Sequence, residues 1–446
     1  LGDEFEGGAM PWLYHHFAGH DNNRDFVMLT QKESRAVNDV LYRRWFPQVF
    51  LDEHQMGATG PRMFVPPQAD PLAPEVDSLV FRPADLLGTM MSLRLEESGK
   101  TGVGHDMIFD SYWPGGTRNT AWGKNVTGLL TEVASARIAT PIVVEPGELE
   151  GGEKGLPEYQ RRSNFPSPWP GGSWRLRDIM DYELVATRAL LETVASHRAG
   201  ILRNSARMAA TAISLGKTEA PSGFVVPAEQ HDPVAAARMI ELLLRHGVRV
   251  ERANRPFTAG RQNFAAGAYV LRAAQPYRSF LLTMLRPQRY PEVPPYAGGP
   301  IYAPYDVTSW SLPIGMGVET IEVAEALADS GLEAITEPAW LGGPVVASTG
   351  GYLVSHAADS AVTAVARLLA QEKEVYWLAS AAPDGAPPGE IYVPAGAIAA
   401  EELGRLVADL HLPVRSLLSA PVGPAHRLRP IRVGLVKPWV ASMDEG

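Results

Sequence analysis

Two short polar clusters carry side chains able to hold an anion and a metal ion: Gly19-His20-Asp21-Asn22-Asn23-Arg24-Asp25 and Asp52-Glu53-His54-Gln55-Met56-Gly57. The planar guanidinium of Arg24 suits bidentate recognition of a carboxylate, with Asn23 beside it. His54 offers an imidazole to a metal, and Glu132, a lone acid in the expected buried strand Val126 to Val133, offers a carboxylate to take a proton from water. A lone histidine near an acid is also a common structural pair, and Asn23-Arg24 also fits a polar turn with a surface arginine. Zinc hydrolysis needs three protein ligands, an open position for water and a nearby carboxylate, of which His54 and Glu132 would supply one ligand and the base.

The side chains depend on the elements that position them. Thr30-Gln31-Lys32-Glu33 has the form of a capping box opening a helix, with Val37, Val40, Leu41 and Trp45 on its apolar face and Pro47 at its end. Gln48 to Asp52 reads as a strand delivering His54 at its C-terminal end, the edge where α/β proteins bind ligands. Residues 66–80 read as a loop, Ala84 to Glu97 as a helix, Gly115 to Thr120 as a turn and Val126 to Val133 as a buried strand. Glu148 to Gly172 is a Gly/Pro-rich surface segment, and Leu176 to Leu215 is mostly helical. Gly223 to Pro227, Pro233 to His246 and Val248 to Glu251 form a β-α-β pattern of a length that suits a parallel sheet. A comparable unit runs through Val345-Val346, Ser360 to Gln371 and Val375 to Leu378, and Arg432 to Val436 reads as one more strand. No short-period repeat is visible.

Composition bounds the answer. A chain of 446 residues exceeds one usual core and predicts two or three domains. Hydrophobic content of 45% with 20% charged residues fits a globular protein, and 42 glycines with 38 prolines predict many ordered loops. A net charge of −10 offers no basic face to nucleic acid, and no apolar run is long enough to suggest a membrane span. With no cysteine, a metal must be held by histidine and carboxylate.

The pattern resembles the zinc carboxypeptidases of the carboxypeptidase A type. Asp21-Asn22-Asn23-Arg24-Asp25 is similar to the family's Asn-Arg pair, Leu51-Asp52-Glu53-His54 to its third-ligand strand, and Gly128-Leu129-Leu130-Thr131-Glu132 to the strand of its catalytic glutamate. The resemblance covers roughly residues 1–140. It implies one Zn2+, with His54 as a ligand, Glu132 as general base, and Asn23 and Arg24 holding the terminal carboxylate of a peptide or small amide substrate. Tyr112 sits where the family keeps a mobile, substrate-capping tyrosine. Arg118 falls near its specificity position, where a cation would favour an acidic terminal residue.

The family's His-x-x-Glu motif, which supplies two more ligands, is absent between Leu1 and Asp21, as is an upstream arginine to polarise the scissile carbonyl. The expectation is that these residues precede Leu1 and that the chain is cut at both ends. Trp12-Leu13-Tyr14-His15-His16-Phe17 is a weaker alternative metal site. Without the upstream ligands, a carboxypeptidase-like domain that binds C-terminal carboxylates without cutting them is the competing expectation.

The expected fold class is therefore α/β: a partial carboxypeptidase-type mixed sheet with helices over 1–145, then a connecting loop and long helix over 146–218. A flavodoxin-like, amidotransferase-like α/β region would follow over 219–430, and 431–446 would start another domain. With no cysteine nucleophile, the amidotransferase-like region reads as scaffold or binding surface. The Tyr/Trp-rich loop Pro304 to Pro313 reads as domain packing. The compartment stays open, although the resemblance implies a secreted or periplasmic parent protein.

Overall fold

Asp25, fully buried, anchors the first helix. Its carboxylate accepts from the Thr30 amide at 2.9 Å, the Thr30 hydroxyl at 2.6 Å and the Gln31 amide at 2.8 Å, and from the Ser34 hydroxyl. The helix takes Gln31 as its N-cap, one residue later than the expected capping box requires, so Thr30 lies before the first turn and its hydroxyl donates to Asp25. The helix Lys32–Asp39 continues as a π-helical segment, Val40–Trp45. Its buried residues are Ser34, Asn38 and Tyr42, while Val37, Val40 and Trp45 face solvent, Trp45 with 80% of its surface exposed. Three of the four residues of the expected apolar face therefore lie outward, and only Leu41 packs inward, against Tyr42, Ala121 and Val126. Asn38 wins the inner position by donating to the Arg245 carbonyl and accepting from the buried amine of Lys124.

The computed structural model describes residues 20–432 and 434, apart from 138, 295–297, 305, 307–308, 328–329, 382–384 and 386. The segment 12–17 and most of the expected last strand, 432–436, lie outside the described residues. The molecule is mixed α/β. Its first sheet runs in the order Val49–Met56, Thr127–Ala134, Met63–Phe64, Val103–Gly104. The first two strands are parallel over eight residues, with His54 opposite Glu132, and Met63–Phe64 joins them antiparallel. The strand at 49 extends to Met56, so His54 lies within it and not beyond its end. Every residue of Thr127–Ala134 is buried.

Two helices cover this sheet. Ser78–Glu97 starts six residues earlier than expected, capped by Asp77, whose side chain accepts from the Leu79 amide, and it carries Pro83 inside the helix at the loss of one backbone hydrogen bond. Leu87, Met91 and Leu95 from this helix meet Leu129 and Val133 from the sheet, and Tyr182, Ala186 and Leu190 from the helix Leu176–Thr218. That 43-residue helix serves two regions. Its first half closes the first sheet, and near its end Gly216 packs so tightly on Ala273 that a Cβ would lie 2.3 Å from the Ala273 backbone.

Beyond it lie two five-stranded sheets. The first has the order Ile321–Val323, Gly223–Val226, Tyr269–Arg272, Val250–Ala253, Leu332–Ile335; the second has Val414–Ser416, Tyr352–Val354, Ile391–Val393, Tyr376–Leu378, Ala425–Arg427. In both, a strand, a helix (Pro233–Arg245 or Ser360–Ala370) and a second strand are followed by a third strand that inserts between the first two. All neighbouring strands are consequently antiparallel. The parallel pairing expected of a flavodoxin-like region is not formed; this is the split β-α-β arrangement, and it occurs twice. The expected strand at Val345-Val346 is replaced by Tyr352–Val354, whose three residues are all buried, whereas Val346 is exposed.

The two copies meet at the starts of their helices. Asp232 caps its own helix through the Val234 and Ala235 amides, and its other oxygen accepts from the Asp359 amide at 2.9 Å. Val234 packs into the core of the second copy. Phe26, Val27, Leu29 and Trp113 share a core with Phe224, Ile240 and Phe280, so the first region packs directly on the first copy.

Candidate functional site

Asp21 starts the site by accepting from the Asn23 amide at 2.8 Å, which sets the single turn Asn22–Arg24. Asn23 then turns inward. Its carbonyl oxygen accepts from both the amide and the hydroxyl of Thr117 at 2.8 Å. This fixes its NH2 toward the Val49–Met56 strand, 3.0 Å from His54 Nε2 and 3.4 Å from Asp52 Oδ2.

Thr117 opens the short helix Thr117–Trp122, where a turn was expected. The helix packs so closely on Thr127–Ala134 that a Cβ on Gly128 would lie 2.2 Å from the Arg118 carbonyl oxygen. Only glycine fits there. Trp122 Nε1 reinforces the contact by donating to the Gly128 carbonyl at 2.8 Å.

His54 Nε2 lies 2.9 Å from Asp52 Oδ1. That hydrogen bond, more than any other influence, raises the imidazole above its ordinary value, with burial opposing it and Arg118 weakly opposing it. A nitrogen that holds a hydrogen toward Asp52 cannot accept from Asn23, so the Asn23 amide is left to Asp52 Oδ2.

Glu132, directly opposite His54 on the neighbouring strand, is 7% exposed, and no hydrogen-bond donor among the described residues reaches its carboxyl. Burial pushes it up to about 7, against the lowering fields of His54, Arg118 and Arg24. Arg118 is buried with its guanidinium over Trp122 at 5.5 Å.

The structure therefore brings Asn23, His54, Arg118 and Glu132 together. Arg24 is held at the margin: its Nε donates to Asp306 Oδ2 at 2.5 Å, Asp21 lies at 3.6 Å, and its guanidinium covers the Trp113 ring at 5.1 Å. Asp306 comes from the aromatic loop that reads as packing in the sequence. Tyr112 points elsewhere. Its hydroxyl donates to the Arg289 carbonyl, and its ring meets Tyr290 and Trp310 edge-on, 4.9 and 6.1 Å between centroids.

Glu183, on the long helix, was not anticipated. It accepts from the Thr131 hydroxyl at 3.1 Å and is raised to about 7, chiefly by burial and then by the charge of Glu53. Its signal in the sequence is an acid on the stripe formed by Ile179, Tyr182 and Ala186.

Zinc needs a bare ring nitrogen and two further donors. The Asp52 hydrogen bond at His54 Nε2 leaves Nδ1 as the nitrogen a metal would take, but no group of three His, Cys, Asp or Glu side chains among the described residues is placed to hold a metal. The described donors thus do not fit a three-ligand centre. No helix among them is long and apolar enough to cross a membrane. No family model, curated protein or solved structure matches the chain.

Proposed function

We propose that this chain hydrolyses an amide next to a free carboxylate, at the C-terminus of a peptide or on a related small molecule, with Glu132 moving the proton. The observation that carries this reading is the setting of Glu132: buried, in register with His54, and lifted to about 7. A carboxyl near that value is about half ionised at neutral pH, so one group can take a proton from water and return it to the leaving amine. Arg118 supplies a buried positive charge for a substrate anion, and the Asp52-His54 pair holds a second ionisable hydrogen beside it. The resemblance to zinc carboxypeptidases agrees with this assignment of Glu132. Proton transfer at Glu132 does not depend on which group polarises the carbonyl.

A second reading, a carboxylate-binding protein without turnover, is favoured by the Arg24–Asp306 pair, where an internal carboxylate sits as a ligand's would. Acylated dipeptides ending in Glu or Leu separate the two. The first reading expects release of the terminal residue, faster for Glu, and a loss of about 10²- to 10⁴-fold in Glu132→Gln. Binding without release establishes the second; release that is unchanged in the variant removes Glu132 from the chemistry.

A further inference from the structure

The helix Leu176–Thr218 turns one side to the first sheet, where Tyr182, Ala186 and Leu190 join the core. Its other side carries Met180, Leu191 and Leu202, at every eleventh position and 50%, 61% and 56% exposed. Three turns of an α-helix bring each eleventh residue back to the same side, so these side chains form one row roughly 33 Å long. Leu184, also exposed, lies one turn from Met180 in that row, and the exposed Ala195 and Ala206 continue it. Single surface leucines are ordinary, but a row of them along one helix marks a contact surface.

The charges beside the row select its partner. Along one flank, in chain order, stand Asp181, Arg188, Glu192 and Arg203. Asp181 is bonded by Arg177 one turn back and Glu192 has Arg94 at 3.9 Å, whereas Arg188 and Arg203 have no ion pair among the described residues. When two copies of this helix run antiparallel about a two-fold axis at Leu191, Leu191 meets itself. Met180 and Leu202 are equidistant from Leu191, so each meets the other at both ends of the contact. The same rotation brings Asp181 within two positions of Arg203 in the second copy, and Glu192 within two positions of Arg188. Leu184 falls opposite Arg198, whose aliphatic stem can cover it. Between Glu192 and Glu219 the helix has no acid and carries Arg198, Arg203, Arg207 and Lys217, so antiparallel pairing lays this basic half along the half that holds every acid of the helix. A parallel pair would set each charge against its own kind.

We infer that this face joins two copies of the chain in an antiparallel dimer centred on Leu191. Sedimentation velocity on the full chain at about 1 to 100 µM tests this and should show a particle of twice the chain's mass. Leu191→Glu places two carboxylates at the axis and should weaken association at least about tenfold; glutamate suits an exposed helix position, so the helix itself should persist. Asp181→Arg and Arg203→Asp should each weaken association about three- to tenfold, and the two together should restore it, a rescue that damage to the fold would not give. Because the chain has no cysteine, Leu191→Cys should yield a disulfide-linked dimer on mild oxidation. Met180→Cys should not, since its two copies would lie roughly 33 Å apart. A chain that stays monomeric over the whole range, a dimer indifferent to Leu191→Glu, or cross-linking as ready at position 180 as at 191 would overturn the assignment.

Discussion

Replacing Glu132 by Gln measures the energetic cost of the acid on which the proposed chemistry depends. Burial lifts its carboxyl from 4.5 to about 7, and at about 1.4 kcal/mol per tenfold change in proton affinity this amounts to about 3 kcal/mol. Below 4.5 the group is protonated in both the folded and the unfolded chain, and the fold bears no cost. Between 4.5 and about 7 only the folded chain keeps the proton, so stability falls as pH rises through that window. Above it the ionised group carries the full cost. Glutamine has no titrating proton, so the stability of Glu132→Gln relative to wild type should rise by roughly 2 to 3 kcal/mol between pH 5 and pH 8. Glu183 titrates in the same window but is present in both proteins and largely cancels. Urea unfolding at half-unit pH steps provides the comparison. Parallel curves for the two proteins across that range would mean that Glu132 ionises at no cost, and the case for a proton carrier poised near neutrality would fail.

Asp52→Asn should lower the His54 titration seen by NMR, since the Asp52 hydrogen bond is the largest influence raising it; an unmoved titration would show that the pair does not hold the proton. In the wild type that pair contributes stability below the ordinary imidazole value of about 6.5, lost as pH rises through the raised value. Asp306→Asn removes the carboxylate from the Arg24 guanidinium and should tighten binding of acylated amino acids by about three- to tenfold, read by calorimetry; weaker binding would show that Asp306 positions Arg24 rather than competing for it. Zinc titration should give an affinity weaker than about 1 µM, and tighter binding would show that donors outside the described residues complete a metal site.

The strand that carries Glu132 is legible because a short run of Val, Leu, Thr and Gly with a single charge, bounded by polar turns, fits a buried strand; Thr127–Ala134 is buried throughout. The helix Ser360–Ala370 is legible from its periodicity alone. The inner face of the first helix is not, because Asn38 is buried by partners at positions 124 and 245, which no local pattern reveals. The same holds for the sheets: strand, helix and strand follow one another as expected, the second strand shifted from 248–251 to Val250–Ala253, but a strand from position 269 takes the place between them and reverses every pairing. Asp306 escapes notice for a related reason, since its partner Arg24 lies 282 positions away.

The doubled sheet order has a consequence for how the second half of the chain holds together. Asp232 gives one oxygen to its own helix and the other to the start of the corresponding helix in the second copy, and Val234 belongs by sequence to one copy and by packing to the other. Residues 223–427 are thus organised as a dimer whose subunits happen to share a backbone. A single cut in the connection between Ile335 and Tyr352 should leave the two pieces associated, whereas either piece made alone would leave apolar surface uncovered at their contact.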